Sequence, residues 1–407
     1  VPKGIPMFAL CLALATVTIG ADSEPQSFTA SSASGVPLTG AIQTLDKDWS
    51  VTVAGERATR IPGADLISLR RKGTVLPPLP AARQIIFANG DRLSGDVLSI
   101  EKDHVRFRAT LGTDRAGDQE VTIPLSALAV VWFQAPPAHA DPTPQWLVES
   151  RRKDVLLLNN GDTLLGSIVG MKSSSQPFLF HDGKRELLIE TSHIIALALN
   201  TDLARTLRPR GSYARLVLAN GCRLGLLSAQ ADDRELRGKT LFGADVRIAW
   251  DQIAALDIRQ GKAVYLSDLK PKSYDHTPYL GLHWNYEMDH SVAGLPLRLG
   301  GSTFDKGIGL HSQSRLTFAF DRKYRRFESL VGLDDQTGQG GSVRIAVLAD
   351  GKANDIGPVR ELSSSTGPRL LSIDITNAKE LTLVVEFGPG GDIRDHVDWV
   401  DARLIKE

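Results

Sequence analysis

The stretch IIFANGDRLSGDVLSI, residues 85–100, places an Asn-Gly pair between a short apolar run and a second run that alternates apolar with polar. Asn-Gly accepts the positive φ angles of a type I′ turn, so the stretch predicts two antiparallel strands joined by a tight hairpin. The pattern returns as VLLLNNGDTLLGSIVGM at residues 155–171 and as LVLANGCRLGLLSAQ at residues 216–230. Each hairpin is followed by a similar closing segment: VTIPLSALAVVWF (121–133), LLIETSHIIALAL (187–199) and VRIAWDQIAALDI (246–258). A weaker first copy, VPLTGAIQTL with TRIPGADLISLR, lacks the Asn-Gly but keeps the rest.

Self-similarity of this kind predicts four small units, at residues 28–73, 83–135, 153–200 and 212–260. Each is expected to be a small, strongly bent sheet of about five strands, like a small Sm-like barrel. The Pro-rich segments GTVLPPLPAAR and QAPPAHADPTPQW join the first three. Short helices are the alternative for the closing segments, but IIALAL and IAALDI are too short to stand alone as helices. The aspartates of the Asn-Gly-Asp turns, Asp91 and Asp162, invite a metal or catalytic reading. Cys222 stands at that place in the third clear copy, so the residues read as turn chemistry.

Composition narrows the function. The chain of 407 residues carries 47 basic and 47 acidic side chains, so no basic excess predicts capture of nucleic acid. With 42% hydrophobic and 23% charged residues it reads as globular, and 37 glycines with 21 prolines suit a turn-rich all-β chain. Lys3 ahead of the apolar run MFALCLALATVTIGA predicts a secretory signal over residues 1–21, cleaved near Gly20 or Ala21, with a retained anchor as the alternative. The mature chain is then expected to be exported, periplasmic, at the cell surface or secreted, with no transmembrane segment. Only Cys222 remains after cleavage, which rules out an internal disulfide and a structural zinc site.

From residue 263 the pattern changes. Leu316, Phe318 and Phe320, then Val343, Ile345 and Val347, then Leu381, Leu383, Val385 and Phe387 alternate along strand-like runs. Such strands separated by polar loops predict a β-sandwich. The last run, within GGDIRDHVDWVDARL (390–404), packs Asp392, Asp395, His396, Asp398, Trp399 and Asp401 into ten positions. Strict alternation would turn Val400, Ala402 and Leu404 to the core and Trp399, Asp401 and Arg403 away from it.

YLSDLKP at Tyr265, LPLRLGGSTFDKGIGLHSQSRLTFAF at Leu295, YRRFESLVGLDD at Tyr324, VRIAVLADGK at Val343 and DHVDWVDARL at Asp395 follow in that order. Together they resemble the NPCBM family of carbohydrate-binding modules, over residues 263–407 only. The resemblance implies a jelly-roll sandwich similar to galactose-binding domains. That family accompanies glycoside hydrolases of the family 98 type and also occurs in exported bacterial proteins without a recognised enzyme. Similar domains often hold a structural calcium, for which the matching carboxylates here are Asp268 and Asp401, although calcium asks for six to eight oxygens.

The expected glycan contacts are Trp284 and Trp399 through ring stacking, and His311, Asp395 and His396 through hydroxyl hydrogen bonds. Each has a structural alternative: a core tryptophan, a buried histidine, or a loop carboxylate that caps backbone amides. Acid–base hydrolysis is disfavoured, because Asp395, Asp398 and Asp401 sit on one strand and its loop and should lean together instead of flanking a bond. The reading is an all-β, exported, non-catalytic carbohydrate-binding protein whose repeats act as spacers or contact envelope proteins. An envelope scaffold, or an accessory subunit of a glycoside hydrolase, stays open beside it.

Overall fold

The three Asn-Gly pairs turn as their residues dictate, with Gly90, Gly161 and Gly221 at φ of 84°, 87° and 87°. The computed structural model describes residues 26–113, 115–137, 149–207, 209–320, 324–354 and 360–406; the leader expected at residues 1–21 lies outside them. The three hairpins share one register, with Ile85 opposite Leu93, Leu156 opposite Leu164 and Leu216 opposite Leu224. Each closing segment holds a single 3-10 turn (Leu125–Ala127, Thr191–His193, Trp250–Gln252) and then a strand, not a helix. No helix among the described residues is long and apolar enough to cross a membrane.

Closing strands join the units in pairs. Ile253–Arg259 of the fourth unit runs antiparallel to Leu66–Arg71 of the first, with Leu256 opposite Leu69. Leu128–Trp132 of the second runs antiparallel to Ile194–Ala198 of the third, with Val131 opposite Leu197. Secondary contacts repeat the relation: Leu45 meets Ala231, and Ile100 meets Met171. The second and fourth units then meet through their hairpins, which sets a spatial order of third, second, fourth, first. One apolar core, from Phe28 to Ile258, draws on all four units.

The C-terminal part is the expected β-sandwich. One sheet orders Glu287–Met288, Gly307–His311, His396–Lys406, Tyr324–Leu333 and Arg369–Asp374. The facing sheet orders Ser273–His276, Ser314–Ala319, Glu380–Phe387 and Ser342–Ala349. Inward residues of both, among them Phe318, Phe327, Ile345, Leu383 and Trp399, form its core.

The last strand departs from strict alternation. Asp401 has φ 48°, and Asp401 with Ala402 faces a single residue of the neighbouring strand, so the ladder carries a β-bulge. The extra residue switches faces: Val397 and Trp399 point into the core before it, Ala402 and Leu404 after it. Trp399 is therefore wholly buried, contrary to the outward placement expected from alternation.

The sandwich docks on the first and fourth units. Arg326 Nη2 donates to Ala33 O at 3.0 Å, and Ala33 and Ile67 pack with Ala263 and Ile405. Thr303 Oγ1 donates to Leu76 O at 2.8 Å, and a buried Arg223–Asp305 pair completes the junction.

Candidate functional site

His311 and His396 are cross-strand partners, so their imidazoles come side by side with centroids 5.4 Å apart. The loop between Ser273–His276 and Glu287–Met288 folds over them. Tyr274 Oη donates to Trp284 O at 2.8 Å and fixes that loop, whose Trp284 ring lies flat on His311, centroids 4.8 Å apart and planes 3° from parallel. Trp284 also meets His396 edge-on at 5.1 Å. His276 approaches His311 at 6.2 Å and His283 at 4.7 Å, edge-on to each. Tyr279 packs edge-on against Phe387, and its loop exposes Leu280 and Leu282.

Asp395 sits just before the last strand, and its Oδ1 accepts the Ser342 amide at 3.1 Å. Burial lifts its carboxyl to about 6, against hydrogen bonds from the Ser312 hydroxyl and the Ser342 amide that favour the charge. Burial likewise pushes the His311 imidazolium down to about 4, and lowers His396 and His276. The His396 Nδ1 is buried with no hydrogen-bond partner, which penalises a charged ring there. Near neutral pH the imidazoles are uncharged, and a neutral imidazole offers one donor and one acceptor.

The structure thus brings together Trp284, His311, Asp395 and His396. It does not bring in Trp399, which pairs with Ile308 on one side and Val331 on the other and is lost in the core. His276, His283, Tyr279 and Ser312 belong to the cluster and were not singled out from sequence. The dense histidine and aromatic content of DHTPYLGLHWNYE (275–287) was the available signal.

The carboxylates of the last strand do not lean together. Asp395 turns toward Ser342, whereas Asp398 Oδ2 accepts the Arg298 amide at 3.2 Å in a buried spot beside Asp334. Asp401 lies near Arg70.

The calcium pair also fails the fit. Asp268 Oδ1 accepts the Lys306 ammonium at 2.7 Å, and the same ammonium donates to Asp289 at 2.6 Å. Asp401 has the Arg70 guanidinium 3.9 Å away, and the charges of Arg403 and Arg259 also act on it. Protein cations already neutralise both carboxylates, and no group of three His, Cys, Asp or Glu residues among the described residues could hold a metal ion.

Residues 262–405 match the model of the NPCBM/NEW2 domain. A Renibacterium salmoninarum protein named "Putative endo-alpha-N-acetylgalactosaminidase" is 27% identical over 112 residues, which are 28% of this chain and 7% of that protein. The chain therefore spans a small fraction of the length of that curated relative. Among solved structures, the CBM51 of Clostridium perfringens GH95 in complex with methyl-galactose is 27% identical, covering 35% of this chain and 99% of its own, at TM-score 0.31. CBM51-2 and INT domains of Clostridium perfringens ZmpB, with GlcNAc, are 26% identical over 44% of this chain and 38% of theirs, at TM-score 0.33.

Proposed function

We propose that the chain is an exported, non-catalytic glycan-binding protein that holds a neutral sugar at the Trp284–His311–His396 cluster. One observation carries the reading: three uncharged rings packed within 4.8–5.4 Å of one another, close to the buried Asp395 carboxylate. A pyranose presents a CH face and several hydroxyls. Tyr279, Leu280 and Leu282 offer apolar surface to the first, while His311, His396 and Asp395 offer mixed donors and acceptors to the second. Uncharged imidazoles beside a carboxylate suit an uncharged polyol better than a phosphate or a uronate. In this reading the four N-terminal units are spacers or protein-contact modules.

The test is affinity electrophoresis and a glycan array on the full chain near neutral pH. The panel starts with galactose, N-acetylgalactosamine and N-acetylglucosamine, the sugars in the relatives' names. Retention is expected with a Kd on the order of 0.1 mM, since few hydroxyl contacts over a shallow surface yield about 5–6 kcal/mol. A chain that retains no sugar on such a panel leaves the scaffold reading in its place.

A further inference from the structure

The hairpins of the second and fourth units cover each other. Asp91 Oδ2 accepts the Gly225 amide at 2.7 Å, Cys222 Sγ accepts the Ser94 amide at 3.1 Å, and Arg92 faces Arg223 as an antiparallel partner. In each hairpin the donor stands three residues beyond the acceptor. The contact is therefore reciprocal, about a local two-fold axis through Arg92 and Arg223.

The shared register identifies the same surface on the other units. Ser94, Leu165 and Gly225 are equivalent, lying opposite Gln84, Val155 and Arg215. Ser94 and Gly225 are buried by the contact, whereas Leu165 is 59% exposed and Asp162 is exposed beside it. On the first unit the corresponding residue is Thr39, a polar side chain whose hydroxyl pairs with Thr29 at 3.1 Å. The third unit alone among these presents an apolar side chain there. Among the described residues nothing covers it.

We propose that this face of the third unit pairs with the same face of a second copy of the chain, about a true two-fold axis near Thr163. The occupant follows from the interfaces inside the chain. Units meet one another through equivalent surfaces in reciprocal pairs, and a reciprocal contact between identical faces closes as a dimer. The residue exchange fits that contact. Thr163 replaces the bulky Arg92 and Arg223 at the axis, and Leu165 replaces the small Ser94 and Gly225 at its flank. Volume moves outward from the axis, and the charged centre becomes an uncharged one. A dimer would present two sandwiches to one surface, which raises avidity without any new sugar contact.

Sedimentation velocity of the full chain should show a reversible monomer–dimer equilibrium. Leu165→Arg should weaken it about tenfold or more with unchanged melting, because the side chain is exposed in the monomer. Thr163→Cys should oxidise to a covalent dimer, since directly opposed strand residues lie within disulfide reach. Leu227→Cys, exposed on the fourth unit, should not cross-link. The native Cys222 is buried and does not compete. A chain that stays monomeric up to on the order of 0.1 mM, a dimer indifferent to Leu165→Arg, or equal cross-linking of the two cysteine variants overturns the proposal.

Discussion

Arg223 and Asp305 meet through two hydrogen bonds, Nε to Oδ2 at 2.9 Å and Nη2 to Oδ1 at 3.0 Å, and so tie the fourth unit to the sandwich. The guanidinium is almost wholly buried and also donates to Gly221 O at 2.7 Å and Pro77 O at 2.8 Å. Despite burial, the two hydrogen bonds and the charge of Arg223 hold the Asp305 carboxyl down at about 2.

Arg223→Ala should cost about 3–5 kcal/mol, because it leaves a carboxylate without its cation and two carbonyls without a donor. Arg223→Leu with Asp305→Leu should recover only part, since the carbonyls stay unpaired. Calorimetry of the single variant should show the sandwich and the N-terminal units melting apart; one unshifted transition would contradict the strut. The pH sign follows from a depressed carboxylate: its contribution is present above the unfolded value near 4 and is lost as pH falls through about 2.

Much of this fold could be read from the residues, and the failures have local causes. Asn-Gly turns and period-two runs identified the hairpins and the sandwich strands because those signals need only a few consecutive residues. The pairing of units could not be read, since Asp91 to Gly225 and Cys222 to Ser94 join residues more than a hundred positions apart. Trp399 was misplaced because a bulge at Asp401 inserts one residue, and a one-residue slip reverses every face beyond it. Residue type alone singles out Trp284, His311 and His396; their stacking depends on the cross-strand register of His311 with His396.

Asp398 should tolerate amidation better than truncation. Burial and the nearby charge of Asp334 raise its carboxyl well above the ordinary value, and its Oδ1 has no partner. A raised carboxylate contributes stability that is full below the unfolded value and is lost as pH rises through the folded one. Asp398→Asn should therefore flatten the pH dependence measured by urea denaturation and match or exceed the parent at pH 8. Asp398→Ala leaves the Arg298 amide unpaired and should cost about 1–3 kcal/mol.

Calcium should not stabilise the chain. With Lys306 on Asp268 and Arg70 near Asp401, an added cation has to displace charges already in place. Melting temperatures in chelator and in millimolar calcium should coincide, because a ligand that does not bind the native state cannot raise it by mass action. A rise with calcium would reveal a site elsewhere.

The ring cluster carries its own pH signature. His311, held down at about 4, has a depressed folded value, so its contribution is present above the unfolded value and is lost as pH falls through about 4. Asp395, lifted to about 6, runs the other way: its contribution is full below the unfolded carboxylate value and is lost as pH rises through about 6. Proton NMR titration should place the two transitions in that order. An imidazole of His311 that titrates at its ordinary value would mean an open, hydrated cluster.

Trp284 and His396 separate binding from folding. Both are half-buried, so alanine at either position should leave most of the core intact, unlike Trp399→Ala, which should cost about 3–5 kcal/mol as a fully buried indole. Trp284 covers His311 and contacts His396, so its removal unlocks both imidazoles and strips an apolar wall. Trp284→Ala should therefore abolish sugar retention, and His396→Ala should weaken it by about 1–3 kcal/mol, the loss of hydroxyl bonds at a desolvated site. Trp399→Phe, which keeps a core ring, should retain sugar and serves as the control for a purely structural role. Retention by Trp284→Ala equal to the parent's would move the glycan away from this cluster. Loss in Trp399→Phe with a normal melt would return the buried indole to the account.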